Sequence, residues 1–488
     1  MVNSPPDPGE ELSVVFDQAQ RRVLHQLLHV RPGIVGDLRK LGFLLGSEVY
    51  FHGFFNASKQ MRSAVPAPRY TQGLRRILLL LTLGFQLGAA VSPDFAARRD
   101  QLRGMLRKDV VVLFGAKESE DLHYTFFQEP NFFYLTGWQE PGAIVVVTPA
   151  KDGDVLFVPP RVPAEEKWTG RKLGPDDAQA REITGFAKVL PTTSFDAELK
   201  ALLANYPTLF TLPADANSPL LAKAAHGYAM PDARPFLSKL RMEKSPEEIA
   251  TIQRATDASI DAHRAAWRMI HPGDYEYQVA ATMVGTYENE GCQRSAYAPI
   301  VGSGPNSAVL HYSRNSRRMD AGEVVVMDVG AECDNYASDI TRTVPAGGKF
   351  TPRQREIYDV VLGAQRAAIA AVKPGMSLGK RAPNSLYQIA YDYINTHGKD
   401  LHGEPLGKYF THGLSHHVGL DVHDASDARE PLKAGMVITI EPGIYIPEEN
   451  IGVRIEDVVL VTATGSRVLS AALPVDPDEI ERALAQKK

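Results

Sequence analysis

The amino-acid sequence predicts an α/β protein of two or three domains, whose last part is built from two similar halves. Its length of 488 residues is enough for that number of domains. From about residue 94, short apolar runs typical of buried strands alternate with helical segments. A strong helix start near residue 245 then changes the pattern, and the order helix, Pro-Gly, helix and strands occurs twice.

Composition excludes several classes of protein. The net charge of −5 is small and has the wrong sign for a nucleic-acid binder. The two cysteines, Cys292 and Cys333, exclude a disulfide-rich scaffold and a cysteine-based zinc site, and leave the redox compartment open. Function must therefore come from local groups of residues.

The first ninety residues differ from the rest. Residues 1–60 show no clean period, and we leave them unassigned and outside the mature protein. In 61–91, Arg75 and Arg76 precede an apolar run of about a dozen residues that ends in small residues, which is typical of a secretory signal peptide. This run is shorter than a membrane span. We expect an exported protein that starts near Met61; the alternative is a buried apolar helix in a cytoplasmic protein.

The first domain is predicted over residues 94–240 as an α/β domain. The runs 110–114 and 143–147 read as buried strands bounded by turn residues. The sequence there contains no nucleophile elbow, phosphate loop or dinucleotide fingerprint. The chemistry is therefore expected in the second domain, residues 245–488.

Two long helices open the two halves of that second domain. Ser245 and Pro246, followed by two glutamates, form a helix start, and the helix should end at the His-Pro-Gly of 271–273. Thr351 opens the second helix, which ends at the Lys-Pro-Gly of 373–375. Each half continues with another helix and strands, so we expect a site between the halves.

Four acids lie in or beside apolar strands of these halves. Asp328 lies within the run 323–330, and Asp339 follows eleven residues later; Glu441 and Glu456 occupy similar places in the second half. One such acid alone is more often a surface or hairpin-end carboxylate. Four that converge would carry a charge of about −4 in a medium of low dielectric constant, which two divalent cations would balance.

Histidine supplies a further ligand. The segment 412–423 holds four histidines, His412, His416, His417 and His423, next to strands that carry acids. This pattern indicates a metal or proton-transfer site. Oxygen ligands with a single imidazole suit Mn(II) and similar hard cations. His417 should point away from the metal because consecutive strand residues face opposite ways.

Together these residues resemble the five metal ligands of the pita-bread metallopeptidases, peptidase family M24B. Within that group the chain resembles aminopeptidase P, the Xaa-Pro aminopeptidase, over about residues 95 to 480. The matching motifs are Phe132–Gly137, Gly170–Gly174, Leu310–Tyr312, Asp339–Thr343, Gly413–His416 and Gly419–Asp424. The resemblance implies a pita-bread catalytic domain with a pseudo-twofold repeat, preceded by an α/β N-terminal domain of the creatinase/prolidase type.

The resemblance also implies a centre of two divalent metal ions, with Mn(II) favoured over Zn, Co or Fe. Asp339 and Glu456 would bridge the ions, Asp328 would chelate one, and His416 and Glu441 would bind the other. Glu441 would in addition accept a proton from the bridging water as it attacks the scissile carbonyl. The implied reaction releases the N-terminal residue from peptides with proline in the second position.

Further residues receive roles from the same resemblance. His311 and His423 would line the substrate site and stabilise the tetrahedral intermediate, and His412 would shape the pocket. Arg454 would order the acidic region, and Tyr445 would form a wall of the substrate site.

The implied partners are peptides with proline in the second position and further copies of the chain, in a dimer or a tetramer. Arg171, in the first domain, would also contact the substrate. No nucleic-acid partner is expected.

Two alternatives stay open. Xaa-Pro dipeptidase (prolidase) uses the same metals, although Ser415 favours aminopeptidase P because prolidases usually have glycine there. Some pita-bread relatives have lost the metals and act as binding modules or, like creatinase, hydrolyse without metal. Methionine aminopeptidase fits less well because it lacks the large first domain.

Overall fold

The computed structural model describes residues 94–486, with gaps at 120, 122 and 428. The predictions for residues 1–60 and for the signal peptide at 61–91 lie outside the described residues. All described residues belong to one compact unit, Ala90–Lys488. Within them, every helix is too short or too polar to cross a lipid bilayer.

The first part of the described chain is built on a mixed five-stranded sheet. Its strands are β1 (Asp109–Phe114), β2 (Ile144–Val147), β3 (Val155–Val158), β4 (Lys188–Pro191) and β5 (Thr208–Phe210). They lie in the order β4-β3-β2-β1-β5, with β3–β4 and β1–β5 parallel and the other pairs antiparallel. The two strands predicted from apolar runs are β1 and β2.

Seven helices accompany this sheet. They are α1 (Phe95–Met105), α2 (Pro130–Thr136), α3 (Glu166–Thr169), α4 (Ala178–Thr184), α5 (Phe195–Leu203), α6 (Pro219–Ala224) and α7 (Arg234–Met242). Because side chains alternate along a strand, Val111 and Leu113 of β1 join one core while Val110 and Val112 join another on the opposite face. Both faces of the sheet are therefore buried, which explains the unbroken apolar runs in the sequence.

The second part of the described chain contains five helices and eleven short strands. The helices are α8 (Pro246–Met269), α9 (Glu276–Asn289), α10 (Pro352–Ala371), α11 (Leu386–His397) and α12 (Pro477–Ala485). The strands are β6 (Arg294–Ser295), β7 (Ile300–Ser303), β8 (Val324–Asp328), β9 (Ala331–Cys333), β10 (Tyr336–Ala337), β11 (Thr341–Pro345), β12 (Val437–Ile440), β13 (Gly443–Ile446), β14 (Ile451–Arg454), β15 (Asp457–Val461) and β16 (Ser466–Val468). The helix pairs α8–α9 and α10–α11 confirm the predicted repeat.

Capping interactions explain why the two long helices begin where the sequence predicts. At α8, Ser245 and Glu248 form a capping box in which each side chain accepts a hydrogen bond from the other residue's backbone N–H. Thr351 and Gln354 form the same box at α10. Both helices have proline at their first position, where the missing N–H has no intrahelical partner to lose.

Strand pairing brings the two halves together. β8 pairs antiparallel with β7 and β11, and β15 pairs antiparallel with β12 and β16. A bridge between Thr341 and Glu456 joins the first group of strands to the second, and a bridge between His417 and Ile438 places the histidine segment along β12. The strand ends that carry the predicted acids therefore meet at one place.

Cys292 and Cys333, for which the sequence analysis makes no pairing prediction, form a disulfide bond in the structure. Cys292 follows α9 and Cys333 ends β9, so the bond closes a loop with a sequence separation of 41 residues. Both side chains are buried. A cross-link of this length stabilises a protein mainly by restricting its unfolded chain.

We predict that replacing both Cys292 and Cys333 by serine lowers the free energy of unfolding by up to about 4 kcal/mol, the loop-closure value for a ring of this size. Urea unfolding with and without a reducing agent measures this loss. Reduction should destabilise the unmodified protein and leave the double variant unchanged. Equal unfolding midpoints for oxidised, reduced and serine-substituted protein would show that the bond contributes nothing.

Candidate metal centre

The four predicted acids sit where strands end. Asp328 is the last residue of β8, Asp339 precedes β11 by two residues, Glu441 follows β12 directly, and Glu456 lies between β14 and β15. All four line one cavity of about 610 Å³. The side chains of Asp339 and Glu456 are almost fully buried. The fold therefore brings together carboxylates that are far apart in sequence.

His416 faces these acids with one ring nitrogen. Its Nδ1 lies 3.0 Å from the carbonyl oxygen of His417, to which it must donate, so Nε2 is left to face the acids. Nε2 is 3.3 Å from Asp339 Oδ2 and 3.5 Å from Glu441 Oε1. Ligand atoms of Asp339, His416 and Glu456 all lie within 4.8 Å of one another. This spacing is compatible with a shared cation.

Burial and mutual interactions shift the pKa values of the acids and of His416. Burial and the nearby Asp328 raise the pKa of Asp339, and burial and the other acids raise the pKa of Glu456 well above its ordinary value. Burial raises the pKa of Glu441 to about 7. Burial lowers the pKa of His416, but the carboxylates of Asp339 and Glu441 outweigh it and raise that pKa to about 9.

Burial and the charges of neighbouring groups cause all of these shifts. Carboxylates that are buried close together resist ionisation. A histidine nitrogen that faces them holds a proton, which it would have to lose before it could bind a metal ion. Divalent cations remove both problems, because they neutralise the acids and accept the imidazole lone pair. The oxygen-rich donor set with one imidazole therefore fits hard divalent metal ions.

Arg454 places a positively charged side chain beside the acids. Its guanidinium donates to Asp328 Oδ2 at 2.5 Å, to the Tyr445 hydroxyl at 2.9 Å and to Thr341 Oγ1 at 3.1 Å. Thr341 in turn donates to Glu456 Oε2 at 2.6 Å. Arg454 thus orders the acidic region through Asp328 directly and through Thr341 to Glu456.

His412 belongs to the same chain of hydrogen bonds. Its Nδ1 donates to the carbonyl oxygen of Gly413 at 2.7 Å, so its Nε2 accepts a hydrogen bond from the Tyr445 hydroxyl at 2.9 Å. Burial and the nearby Arg454 lower the pKa of His412 to about 4. His412 is therefore neutral at pH 7 and holds Tyr445 at the cavity wall.

The remaining predicted residues divide between the cavity and the first part of the chain. His311 and His423 line the cavity with exposed side chains, and the His423 ring packs edge-on against His416 with centroids 4.3 Å apart. Arg171 lies outside this cavity, where it forms an exposed ion pair with Asp177. Its contact with substrate stays a prediction.

Sequence reasoning missed Tyr297. Its hydroxyl lies 2.5 Å from Oδ1 of both Asp328 and Asp339, inside the cavity. Burial and these acids raise its pKa well above the ordinary value, so the hydroxyl keeps its proton and donates it. The residue precedes β7, and only the pairing of Ile300 with Asp328 brings it near the acids. No local motif could have indicated this.

A second arginine supports the acids from behind. Arg342 of β11 is fully buried and donates to Asp457 Oδ1 at 2.7 Å and to the carbonyl oxygen of Glu456 at 2.7 Å. Gln365 of α10 donates to the other Asp457 oxygen at 2.6 Å. This contact fixes the strands that carry Asp339 and Glu456 relative to each other.

A third buried ion pair holds the histidine segment. Asp424 accepts hydrogen bonds from Arg241 at 2.5 Å and from Lys244 Nζ at 2.9 Å, and all three side chains are almost fully buried. Although burial opposes ionisation, these two cations lower the pKa of Asp424 to about 2. His417 lies beside this group, and burial lowers its pKa to about 3. His417 does not belong to the cluster formed by Asp339, His416 and Glu456.

Comparisons with known proteins find matches to both parts of the described chain. The model of metallopeptidase family M24 matches residues 250–463, and that of the aminopeptidase P N-terminal domain matches residues 95–210. The chain is 34% identical over 423 residues to an Xaa-Pro aminopeptidase of Haemophilus influenzae, covering 80% of this chain and 96% of the relative. It is 35% identical over 428 residues to an Xaa-Pro aminopeptidase of Escherichia coli, with the same coverage.

Solved structures show the same likeness. The chain superposes on the proline aminopeptidase P II of Yersinia pestis with a TM-score of 0.72 and 33% sequence identity. The match covers 81% of this chain and 99% of that structure. Both parts of the described fold are therefore shared with these proteins.

We predict that divalent cations stabilise the protein and that Glu456→Gln abolishes the effect. At a cation concentration one hundred times its dissociation constant, the gain is about 2.7 kcal/mol. Thermal unfolding across a Mn(II) titration measures it, with Glu448→Gln, at an exposed position, as the matched control. Metal-free Glu456→Gln should be no less stable than the metal-free parent, since one of four repelling acids is gone. A cation response that survives in this variant would contradict the proposed ligand set.

We predict that Asp424→Asn costs about 3–5 kcal/mol near neutral pH, because it leaves the buried Lys244 without its carboxylate partner and leaves Arg241 only the half-exposed Asp421. The pKa of Asp424 in the folded protein, about 2, lies below the ordinary aspartate value of 3.8. Its contribution is therefore fully present above pH 3.8 and is lost as the pH falls through 2. Urea unfolding at pH 6, 4 and 3 should show the difference between parent and variant shrinking with acid. A difference that stays constant over that range would contradict the ion pair.

Proposed function

Because the chain belongs to metallopeptidase family M24 and carries the aminopeptidase P N-terminal domain, we propose that it is an Xaa-Pro aminopeptidase. Such an enzyme releases the N-terminal residue from peptides with proline in the second position. One observation carries the proposal: the five predicted metal ligands and three predicted histidines line a single cavity. The identity to curated Xaa-Pro aminopeptidases extends over almost their whole length.

The chemistry of the substrate explains why such a site must differ from that of a general peptidase. A proline in the second position has no backbone N–H and a fixed φ angle. The site therefore cannot rely on a donor from the residue after the scissile bond and must admit a ring instead. The wall formed by His412 and Tyr445 offers aromatic surface of that kind within the cavity.

We propose that the centre holds two divalent metal ions, with Mn(II) as the favoured ion. Asp328, Asp339, His416, Glu441 and Glu456 would hold them. Divalent ions in such a site supply Lewis acidity and make water a nucleophile at neutral pH. The support for two ions is the number of acids, since one cation would leave much of their charge unbalanced.

The protein's own side chains would then guide the reaction. Glu441 would accept the proton of the attacking water at a carboxylate oxygen and return it to the leaving proline nitrogen. His311 and His423, at the open side of the cavity, would donate to the carbonyl oxygen as it gains charge. Arg454 and His412 would hold Tyr445 and the acids in place during these steps.

Xaa-Pro dipeptidase is the alternative within the family. Two observations favour the aminopeptidase: Ser415 stands where prolidases usually have glycine, and the matching N-terminal domain is that of aminopeptidase P. The two activities differ in whether the residue after proline is required.

Three further proposals concern the whole molecule. We propose export from the cytoplasm, supported by the signal-like segment 61–91 and by the disulfide between Cys292 and Cys333. We also propose a dimer or tetramer, and a contact of Arg171 with substrate, on the family resemblance. N-terminal sequencing of the mature protein tests export, and gel filtration with light scattering tests the oligomeric state.

We predict that Asp339→Asn lowers kcat/KM for a peptide of the form Xaa-Pro-Xaa by at least about 10³-fold, because one of the residues that would hold the metal ions is lost and metal content should fall with it. Mass spectrometry of the products, with metal analysis of each variant, measures this. Asp152→Asn, which alters an exposed aspartate in the first part of the chain, is the matched control.

The unmodified enzyme should cleave Xaa-Pro-Xaa, and a chelator should abolish this cleavage. It should leave Xaa-Ala-Xaa intact. Cleavage of the Xaa-Pro dipeptide alone would assign the chain to the prolidases. Full activity of Asp339→Asn would overturn the metallopeptidase mechanism.

A further inference from the structure

Asp424 lies at the centre of a buried network that reaches beyond the metal ligands. Its two carboxylate oxygens are divided between two cations: Oδ1 accepts from Arg241 and Oδ2 from Lys244. Arg241 belongs to α7 and Lys244 to the short segment that leads into α8. Both cations therefore come from the connection between the N-terminal part and the catalytic part of the chain.

The network extends into the first part of the chain through Arg241. Its other guanidinium nitrogen donates to Asn131 Oδ1 at 2.7 Å, at the beginning of α2. The nitrogen of Arg241 that contacts Asp424 also forms an ion pair with Asp421 at 2.7 Å. One buried side chain thus contacts both the N-terminal domain and the segment between His416 and Asp424.

From Asp424 the network reaches the metal ligand His416 in two steps. The backbone N–H of Asp424 donates to the carbonyl oxygen of His417 at 2.8 Å. The same carbonyl oxygen accepts the Nδ1 hydrogen of His416 at 3.0 Å. The position of this carbonyl sets which nitrogen of His416 carries the proton and where Nε2 points.

The shape of the intervening segment depends on Asp424 as well. A Cβ atom on Gly419 would approach Asp424 Oδ2 to 2.3 Å, so the chain passes directly over the carboxylate. The carbonyl oxygen of Gly419 accepts from Ala337 of β10, which fixes the far side of the segment. His423 is carried by the same segment and packs on the His416 ring.

We propose that Arg241 and Lys244 are positioning residues which, through Asp424, orient the metal ligand His416 and its neighbour His423. The N-terminal domain would then be part of what sets the geometry of the metal centre, in addition to any contact with substrate. This inference rests on the proposed function for its catalytic consequence. Its effect on metal binding can be measured independently of any peptide.

Arg98 provides a matched control for the loss of a buried arginine between the two parts of the chain. It is buried, with 6% of its surface exposed against 3% for Arg241; it pairs with Glu248 at 3.5 Å and donates to the Tyr336 hydroxyl at 3.2 Å. Its hydrogen bonds and ion pair do not involve the segment 416–424. If Arg241 had a purely structural role, Arg98→Met and Arg241→Met would have the same effects on Mn(II) affinity, kcat and hydrogen exchange.

The experiment compares Arg241→Met with Arg98→Met in the full chain. Mn(II) affinity is measured by competition with a chelator, and amide hydrogen exchange of peptides covering 417–424 is measured in the metal-free protein. Steady-state kinetics with an Xaa-Pro-Xaa peptide follow at saturating Mn(II). Arg241→Met should lose about 10- to 100-fold in Mn(II) affinity or in kcat, the usual effect of removing support for a ligand. Exchange at 417–424 should rise.

Arg98→Met should keep the parental Mn(II) affinity, kcat and hydrogen exchange of residues 417–424. This should hold even if its unfolding temperature falls as much as that of Arg241→Met. Equal behaviour of the two variants in all three measurements would overturn the inference. Lys244→Met serves if Arg241→Met does not fold, because it leaves Asp424 with one cation. Lys244→Met should also lose Mn(II) affinity or kcat, but less than Arg241→Met. Parental Mn(II) affinity, kcat and hydrogen exchange in Lys244→Met would also overturn the inference.

The failures of the two proposals are distinguishable. If the unmodified protein cleaves no Xaa-Pro peptide, the proposed function fails, while Mn(II) affinity and exchange still decide whether Arg241 positions His416. If the unmodified protein cleaves the peptide and Arg241→Met equals Arg98→Met, only the positioning role fails.

Discussion

Four carboxylates that line one cavity repel one another, and much of the surrounding structure is arranged to withstand that repulsion. Buried acids are costly because water no longer screens their charge. Asp328, Asp339, Glu441 and Glu456 nevertheless lie at strand ends that the pairing of the two halves brings together. Divalent cations would remove this repulsion, and the metallopeptidase family to which the chain belongs has the chemistry that such cations supply.

Three buried arginines hold the acids from different directions. Arg454 lies at the front and neutralises part of the charge through Asp328. Arg342 lies behind the site and fixes the strands of Asp339 and Glu456 through Asp457. Arg241 acts on the histidine segment through Asp424. Arginine suits all three places because its planar group donates several hydrogen bonds in fixed directions and stays charged when buried.

The local part of this structure could be predicted from the sequence, and the long-range part could not. Capping residues and proline at 245–246 and 351–352 predict the two long helices, since those signals act within one turn. The acids and the histidine segment were found because each lies beside an apolar strand and the set resembles a known family. Tyr297 and Arg241 were missed because their partners are more than thirty residues away and are reached only through strand pairing or domain contact. Arg171 was placed by resemblance alone; it lies outside the cavity, and its contact with substrate stays a prediction.

The claim that these acids form a metal centre is tested most directly by crystals grown with Mn(II) and measured at a wavelength where manganese scatters anomalously. The account predicts two anomalous peaks inside the cavity, enclosed by Asp328, Asp339, His416, Glu441 and Glu456. A cavity without a peak at saturating Mn(II), or peaks confined to other parts of the molecule, would contradict it.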